Sequence, residues 1–200
     1  MIDFKSGDIG LSTDKSFLGN TIRFFESIWT KNANWSHAFL FITPNTIIES
    51  LVKITKSPKS KYDKSNINIY RLPLSNKVRF ELTKLMDERE GGAYGWDKYP
   101  LFILDCTATW FKQHILNQKK PCFFFTSTFK ISNIPVCSQL VVWGIYKVSS
   151  YRFKDQYGDE VDWRIITPDV LEDLLKLPIN KAKLIYQQEA KCRIFTADHI

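Results

Sequence analysis

The sequence predicts a single α+β domain over residues 1–200, with an antiparallel sheet packed against helices. Three observations lead to this prediction. Strand patterns come first along the chain, helical patterns follow, and a strand pattern returns near the end, an order typical of α+β domains. The 200 residues are 44% hydrophobic and 24% charged, which supplies enough apolar surface for one core. No internal repeat or linker divides them.

Alternating or β-branched runs predict the strands, at residues 8–12, 38–42, 46–52, 67–72 and 183–187. The turn Thr43-Pro44-Asn45 joins the second and third of these strands as a hairpin. We expect a three-residue loop there, because Asn45 tolerates the left-handed conformation that such loops often need.

Apolar residues at helical spacing predict the helices, at residues 17–28, 75–90, 137–147 and 167–177. Ser75 caps the second of these helices, and a Gly-Gly pair ends it. The fourth helix opens on Thr-Pro-Asp, which places an N-cap, a proline at the first position and an acid in the first turn.

Two stretches lack a clear pattern. Residues 53–65 carry lysines among Ser, Thr and Pro, the composition of a mobile surface segment, and we expect a solvated loop there rather than a binding patch. Residues 93–133 are rich in aromatics. For them we expect helical pieces near 96–113 and a loop at 119–128.

Charge and cysteine content exclude several classes of function. The formal net charge of +7 suits an anionic surface, but no frame of basic and aromatic residues predicts specific nucleic-acid binding. The four cysteines form no CxxC pair and have no His at metal-ligand spacing, so we expect neither a metal nor a cofactor. Because no signal-peptide pattern or long apolar run occurs, we expect synthesis in the cytoplasm without a transmembrane segment.

Cys137 is the first candidate for chemistry. It begins a helical pattern two residues after Pro135. A helix N-terminus stabilises a thiolate, and its N–H groups can bind an oxyanion. Gly144 lies on the same helix face as Cys137 and would let the helix approach a sheet closely. The alternative for Cys137 is a small buried residue that starts a core helix.

His37 and Glu49 are the second and third candidates, and the hairpin relates them. In a three-residue loop Ile42 faces Thr46, so Glu49 lies opposite Phe39. Because strand side chains alternate, His37 and Glu49 then share a face, close enough for a hydrogen bond. Such a carboxylate would orient the imidazole. A two-residue loop at 44–45 would move Glu49 to the opposite face.

These residues, in this order, resemble the permuted branch of the NlpC/P60 superfamily, and more narrowly the YiiX/YebB-like cysteine hydrolases. The motifs that carry the resemblance are Gly7-Asp8-Ile9, Trp35-Ser36-His37, Ile48-Glu49-Ser50 and Val136-Cys137-Ser138-Gln139-Leu140-Val141. The resemblance implies a circularly permuted papain-like fold. It implies that Cys137 is the nucleophile, His37 the general base and Glu49 the orienting acid, and it assigns Tyr94 and Ser138 to the oxyanion or substrate.

The function that this resemblance implies is hydrolysis of an amide or peptide bond through a thioester, with peptidoglycan stem peptides as a candidate substrate. One alternative is acyl transfer to an amine or alcohol, as in lecithin–retinol acyltransferase-like proteins, with Phe123-Phe124-Phe125 as an acyl-chain groove. Another is a binding or structural protein that kept the fold without catalysis. A compact chain of this kind fits an intracellular enzyme or a protein delivered by a virus or phage.

Overall fold

The computed structural model of the chain describes residues 3–13, 34–51, 53–92 and 137–189, together with positions 104 and 108. The helix predicted at 17–28 and the pieces predicted within 93–133 lie outside these residues, apart from the helical positions 104 and 108.

In the part of the chain that the structure describes, six antiparallel strands form one sheet, in the order β4-β3-β2-β1-β5-β6. In chain order the strands are β1 Ile9–Ser12, β2 His37–Thr43, β3 Thr46–Ser50, β4 Ile54–Pro58, β5 Ile67–Arg71 and β6 Lys183–Gln188. The α-helices of the described ranges are α1 Asn76–Arg89, α2 Cys137–Val148 and α3 Pro168–Lys176. The predicted α+β class and its antiparallel sheet are confirmed.

The caps predicted for two helices are present. The Ser75 hydroxyl accepts a hydrogen bond from the Val78 N–H at the start of α1, at 3.3 Å. Thr167 does the same for Val170 at the start of α3, at 3.4 Å. Both caps satisfy an N–H group that a helix start otherwise leaves without a partner.

The lysine-rich segment is not the solvated loop that its composition predicted. It forms β4, which pairs with β3 from Thr46↔Pro58 to Ser50↔Ile54, and then a 3-10 helix, Lys59–Tyr62. Lysines are common on edge strands, where their charge discourages pairing with another chain. The same composition therefore suits the edge of a sheet and a loop equally well.

The hairpin between β2 and β3 has a shorter loop than predicted, yet the predicted register is correct. Thr43 pairs with Thr46 across a two-residue turn, so the expectation that Ile42 faces Thr46 is wrong. The register then shifts between Phe41 and Thr43, where the extra residue forms a bulge. Beyond the bulge, Phe39 pairs with Glu49 as predicted.

Apolar residues cover both faces of the sheet. One face packs against α1, α2 and α3 and forms the larger core. The other face carries a smaller cluster made of Phe39, Phe41, Ile47, Tyr62, Ile67 and Ile69.

Helix α2 lies against β2, β3 and α1. Gly144 turns towards α1 rather than towards the sheet, which corrects the expectation from sequence. A Cβ atom at Gly144 would lie 2.0 Å from Met86 Cε, so the glycine permits the close contact between the two helices.

Candidate active site

His37 is the first residue of β2, at one end of the sheet, and its side chain is buried. Its Nε2 atom lies 3.0 Å from Oε2 of Glu49. Phe39 pairs with Glu49, and strand side chains alternate, so the side chains of His37 and Glu49 lie on one face of adjacent strands. This placement produces the contact. The predicted proximity of His37 and Glu49 is therefore present in the structure.

Cys137 lies on the other side of the imidazole. The structure describes α2 from this residue onward, and its side chain forms a hydrogen bond with that of His37. The backbone N–H groups of Ala38 and Ser138 also donate to the sulfur. Since Nε2 of His37 faces Glu49, the imidazole bridges the thiol and the carboxylate. Cys137 is 4% exposed and Glu49 is fully buried.

The pKa values of the three groups shift in the directions expected for an ion pair. Burial alone would lower the pKa of His37, but hydrogen bonds with Cys137 and Glu49 outweigh it and raise the pKa to about 9. Burial would raise the pKa of Cys137, yet the interaction with His37 lowers it. A thiolate beside an imidazolium satisfies both shifts, because each charge stabilises the other.

Glu49 remains ionised although it is fully buried. Burial opposes the charge, but hydrogen bonds with His37, Lys61 and Ser57 hold the pKa of its carboxyl well below the usual range. The Tyr62 hydroxyl also donates to Oε2, at 2.5 Å. A carboxylate with this many donors is a stable counter-charge for an imidazolium.

Sequence reasoning missed the second set of partners of Glu49. Ser57, Lys61 and Tyr62 all come from the lysine-rich segment that was expected to be a loop. Lys61 Nζ lies 2.6 Å from Oε1 of Glu49. The available signal in the sequence was Tyr62, a large aromatic within a polar segment. The structure buries it against the sheet.

Tyr62 also supports the imidazole through its ring. Its ring stacks on Phe39 at 4.7 Å between centroids and on His37 at 6.1 Å. Stacked rings restrict the rotation of the imidazole and exclude water from the side of the ring that they cover.

Helix α3 fixes the chain that leads into His37. Oδ1 of Asp169 accepts hydrogen bonds from the backbone N–H groups of Asn34 and Trp35, at 3.0 and 3.1 Å. Asp169 was expected only to stabilise the first turn of its own helix, but it also anchors the approach to β2.

Of the two remaining predicted site residues, the structure describes Ser138 alone. Oγ of Ser138 donates to the carbonyl of Ile166 at 2.7 Å, which leaves its backbone N–H as the group beside Cys137. Its assignment to the oxyanion stays a prediction. Tyr94 and the proposed acyl-chain groove at 123–125 lie outside the described residues.

Comparison with known proteins places the fold. No family model matches the sequence, and no curated protein matches it. The fold is of the YiiX-like class that the sequence resembled. The chain is similar to a solved structure described as the metalloprotein YiiX from Escherichia coli O157:H7, with a TM-score of 0.58, 12% identity, and coverage of 92% of this chain and 98% of that one. At this identity the likeness concerns the fold.

The described residues of this site do not suit a metal ion. Within the described ranges no group of three or more His, Cys, Asp or Glu side chains is placed to hold one. His37 separates the thiol of Cys137 from the carboxylate of Glu49, so the three form a chain instead of converging on a point. Both oxygens of Glu49 already accept protein donors.

None of the helices in the described ranges is long and apolar enough to cross a bilayer.

Proposed function

We propose that this chain is a cysteine hydrolase that cleaves an amide or peptide bond through a thioester. One observation carries the proposal: the buried imidazole of His37 bridges the thiol of Cys137 and the carboxylate of Glu49. This is the relation of nucleophile, base and orienting acid that thiol hydrolysis requires. The similarity in fold to YiiX agrees with it.

In the proposed first step, the proton of Cys137 already lies on His37, and the thiolate attacks the substrate carbonyl carbon. A carbon–sulfur bond forms, and the carbonyl oxygen becomes an oxyanion that backbone N–H groups at the start of α2 stabilise. The imidazolium then gives its proton to the leaving amine as the carbon–nitrogen bond breaks. Glu49 holds the ring in the orientation that serves both transfers.

In the proposed second step, His37 takes a proton from water, which attacks the thioester and releases the acid and the thiol. An amine or alcohol in place of water would give acyl transfer from the same thioester. Stem peptides of peptidoglycan remain the candidate substrate, on the resemblance in the site motifs.

Trapping the acyl-enzyme tests the proposal. The protein is mixed with peptidoglycan fragments, model peptides or phospholipid, quenched in acid, and digested for mass spectrometry. We expect the mass of the acyl group on the peptide that contains Cys137, and products that take up oxygen from labelled water. Product formation that persists in Cys137→Ala would contradict the proposal, as would failure of every substrate to modify a Cys137 that alkylates readily.

A further inference from the structure

The fully buried carboxylate of Glu49 has two oxygens with different partners. Oε2 faces His37 Nε2 and the Tyr62 hydroxyl, at 3.0 and 2.5 Å. Oε1 faces the ammonium of Lys61, at 2.6 Å. His37 and Lys61 therefore share one negative charge.

We propose that Lys61 is a positioning residue that acts on His37 through Glu49, limiting how strongly the carboxylate stabilises the imidazolium. The inference rests on the proposed function, because it concerns how easily the base of that site releases a proton. A general base works best when its pKa lies close to the working pH. A cation on the far oxygen draws charge away from the near one and also repels the imidazolium directly.

The surroundings leave Lys61 as the cation that can do this. Within the described residues, the titratable side chains that contact His37 or Glu49 are Cys137 from α2 and Lys61 and Tyr62 from the 3-10 helix. Of these only Lys61 carries a positive charge. The Lys61 side chain is 40% exposed, whereas that of Glu49 is fully buried. The half-exposed ammonium of Lys61 therefore connects the buried carboxylate to solvent.

A simpler role for Lys61 is to neutralise a buried carboxylate and so stabilise the fold. That role predicts a loss of stability when the charge is removed, with no change in the titration of His37. The electrostatic role predicts a change in that titration. The two roles are separated by measuring both quantities on the same variants.

The chain offers matched controls. Lys61→Arg keeps the positive charge, and Lys61→Gln and Lys61→Met remove it. Lys59 lies on the same 3-10 helix but pairs with Asp63, at 2.6 Å, and Lys59→Gln removes an equal charge without touching Glu49.

The titration of His37 is followed by NMR of the imidazole protons in a Cys137→Ala background. This background contains no nucleophile, so failure of the hydrolase proposal would leave the measurement unaffected. We expect Lys61→Gln and Lys61→Met to raise the pKa of His37 by about 0.5–1 unit, a three- to tenfold change in the dissociation constant. Lys61→Arg and Lys59→Gln should leave the pKa in place.

Urea unfolding of the same four variants measures the structural role alongside the titration. An unchanged pKa in both charge-free variants would overturn the inference, whatever happens to their stability. An equal shift in Lys59→Gln would also overturn it, because the effect would then come from net charge and not from the contact with Glu49.

Discussion

Glu49 illustrates which part of a site a sequence can predict at the scale of single residues. Its contact with His37 follows from strand alternation and one hairpin register, both of which are local. Its contacts with Lys61, Tyr62 and Ser57 depend on a segment folding back across the sheet. Composition says little about such non-local contacts, so those three donors were not predicted.

Glu49→Gln should remove a pH-dependent part of the stability. The pKa of Glu49 is lowered in the folded protein, so its charge stabilises the fold above the unfolded value of 4.5, and this contribution is lost as the pH falls below it. We expect the difference in unfolding free energy between wild type and Glu49→Gln to shrink by about 1–2 kcal/mol between pH 6 and pH 3. Urea unfolding at several pH values measures it. A difference that stays constant or grows towards acid would contradict the lowered pKa.

At the scale of elements, the bulge at Ile42 and the strand β4 are two features that the sequence pattern did not predict. The predicted register of β2 and β3 was correct although the predicted loop was one residue too long, because the bulge takes up that residue. Neither the bulge nor the edge strand has a distinctive composition. The strands and helices with strong apolar periodicity in the described ranges were predicted within a few residues of their observed bounds.

The contact between β1 and β2 supplies a prediction at the same scale. A Cβ atom at Gly10 would lie 2.1 Å from the ring of Phe39, which itself stacks on Tyr62. Because an aromatic ring cannot yield as a flexible chain does, Gly10→Ala should cost about 1–3 kcal/mol of stability. It should also slow alkylation of Cys137, because a displaced Phe39 disturbs the Tyr62 ring that stacks on His37.

The control for Gly10→Ala is the double variant with Phe39→Leu, which makes room for the new methyl group. We expect the two changes to couple, so that Gly10→Ala costs less in the Phe39→Leu background than in wild type. Additive costs in urea unfolding would show that the ring does not oppose the methyl group.

At the scale of the whole molecule, the site is assembled from parts that are distant along the chain. His37 and Glu49 come from one hairpin, Cys137 from a later helix, and Asp169 from the helix after that. The sequence alone does not relate Cys137 to His37 geometrically, and the resemblance to YiiX-like hydrolases supplied that link. The role of Asp169 was missed because an acid in the first turn of a helix already has an ordinary explanation.

Asp169→Ala should weaken the link between α3 and the entrance of β2. The change leaves the N–H groups of Asn34 and Trp35 without their acceptor, at a cost of about 1–3 kcal/mol for each that stays buried. Asp169→Asn keeps an acceptor oxygen and should cost less. Thermal or urea unfolding compares the two. Equal stability of Asp169→Ala and wild type would show that this anchor is dispensable.

The ion pair of Cys137 and His37 is tested most directly by the rate of alkylation of Cys137 between pH 4 and pH 10, in wild type and in His37→Ala. The lowered pKa of Cys137 predicts that wild type keeps its thiolate to a lower pH than His37→Ala, in which burial opposes the charge and the thiolate should form only at or above the ordinary cysteine value of 9.0. We therefore expect wild type to react about tenfold faster or more at pH 6–7, with the two rates converging at high pH. Identical rates and identical pH dependence in the two proteins would contradict the ion pair.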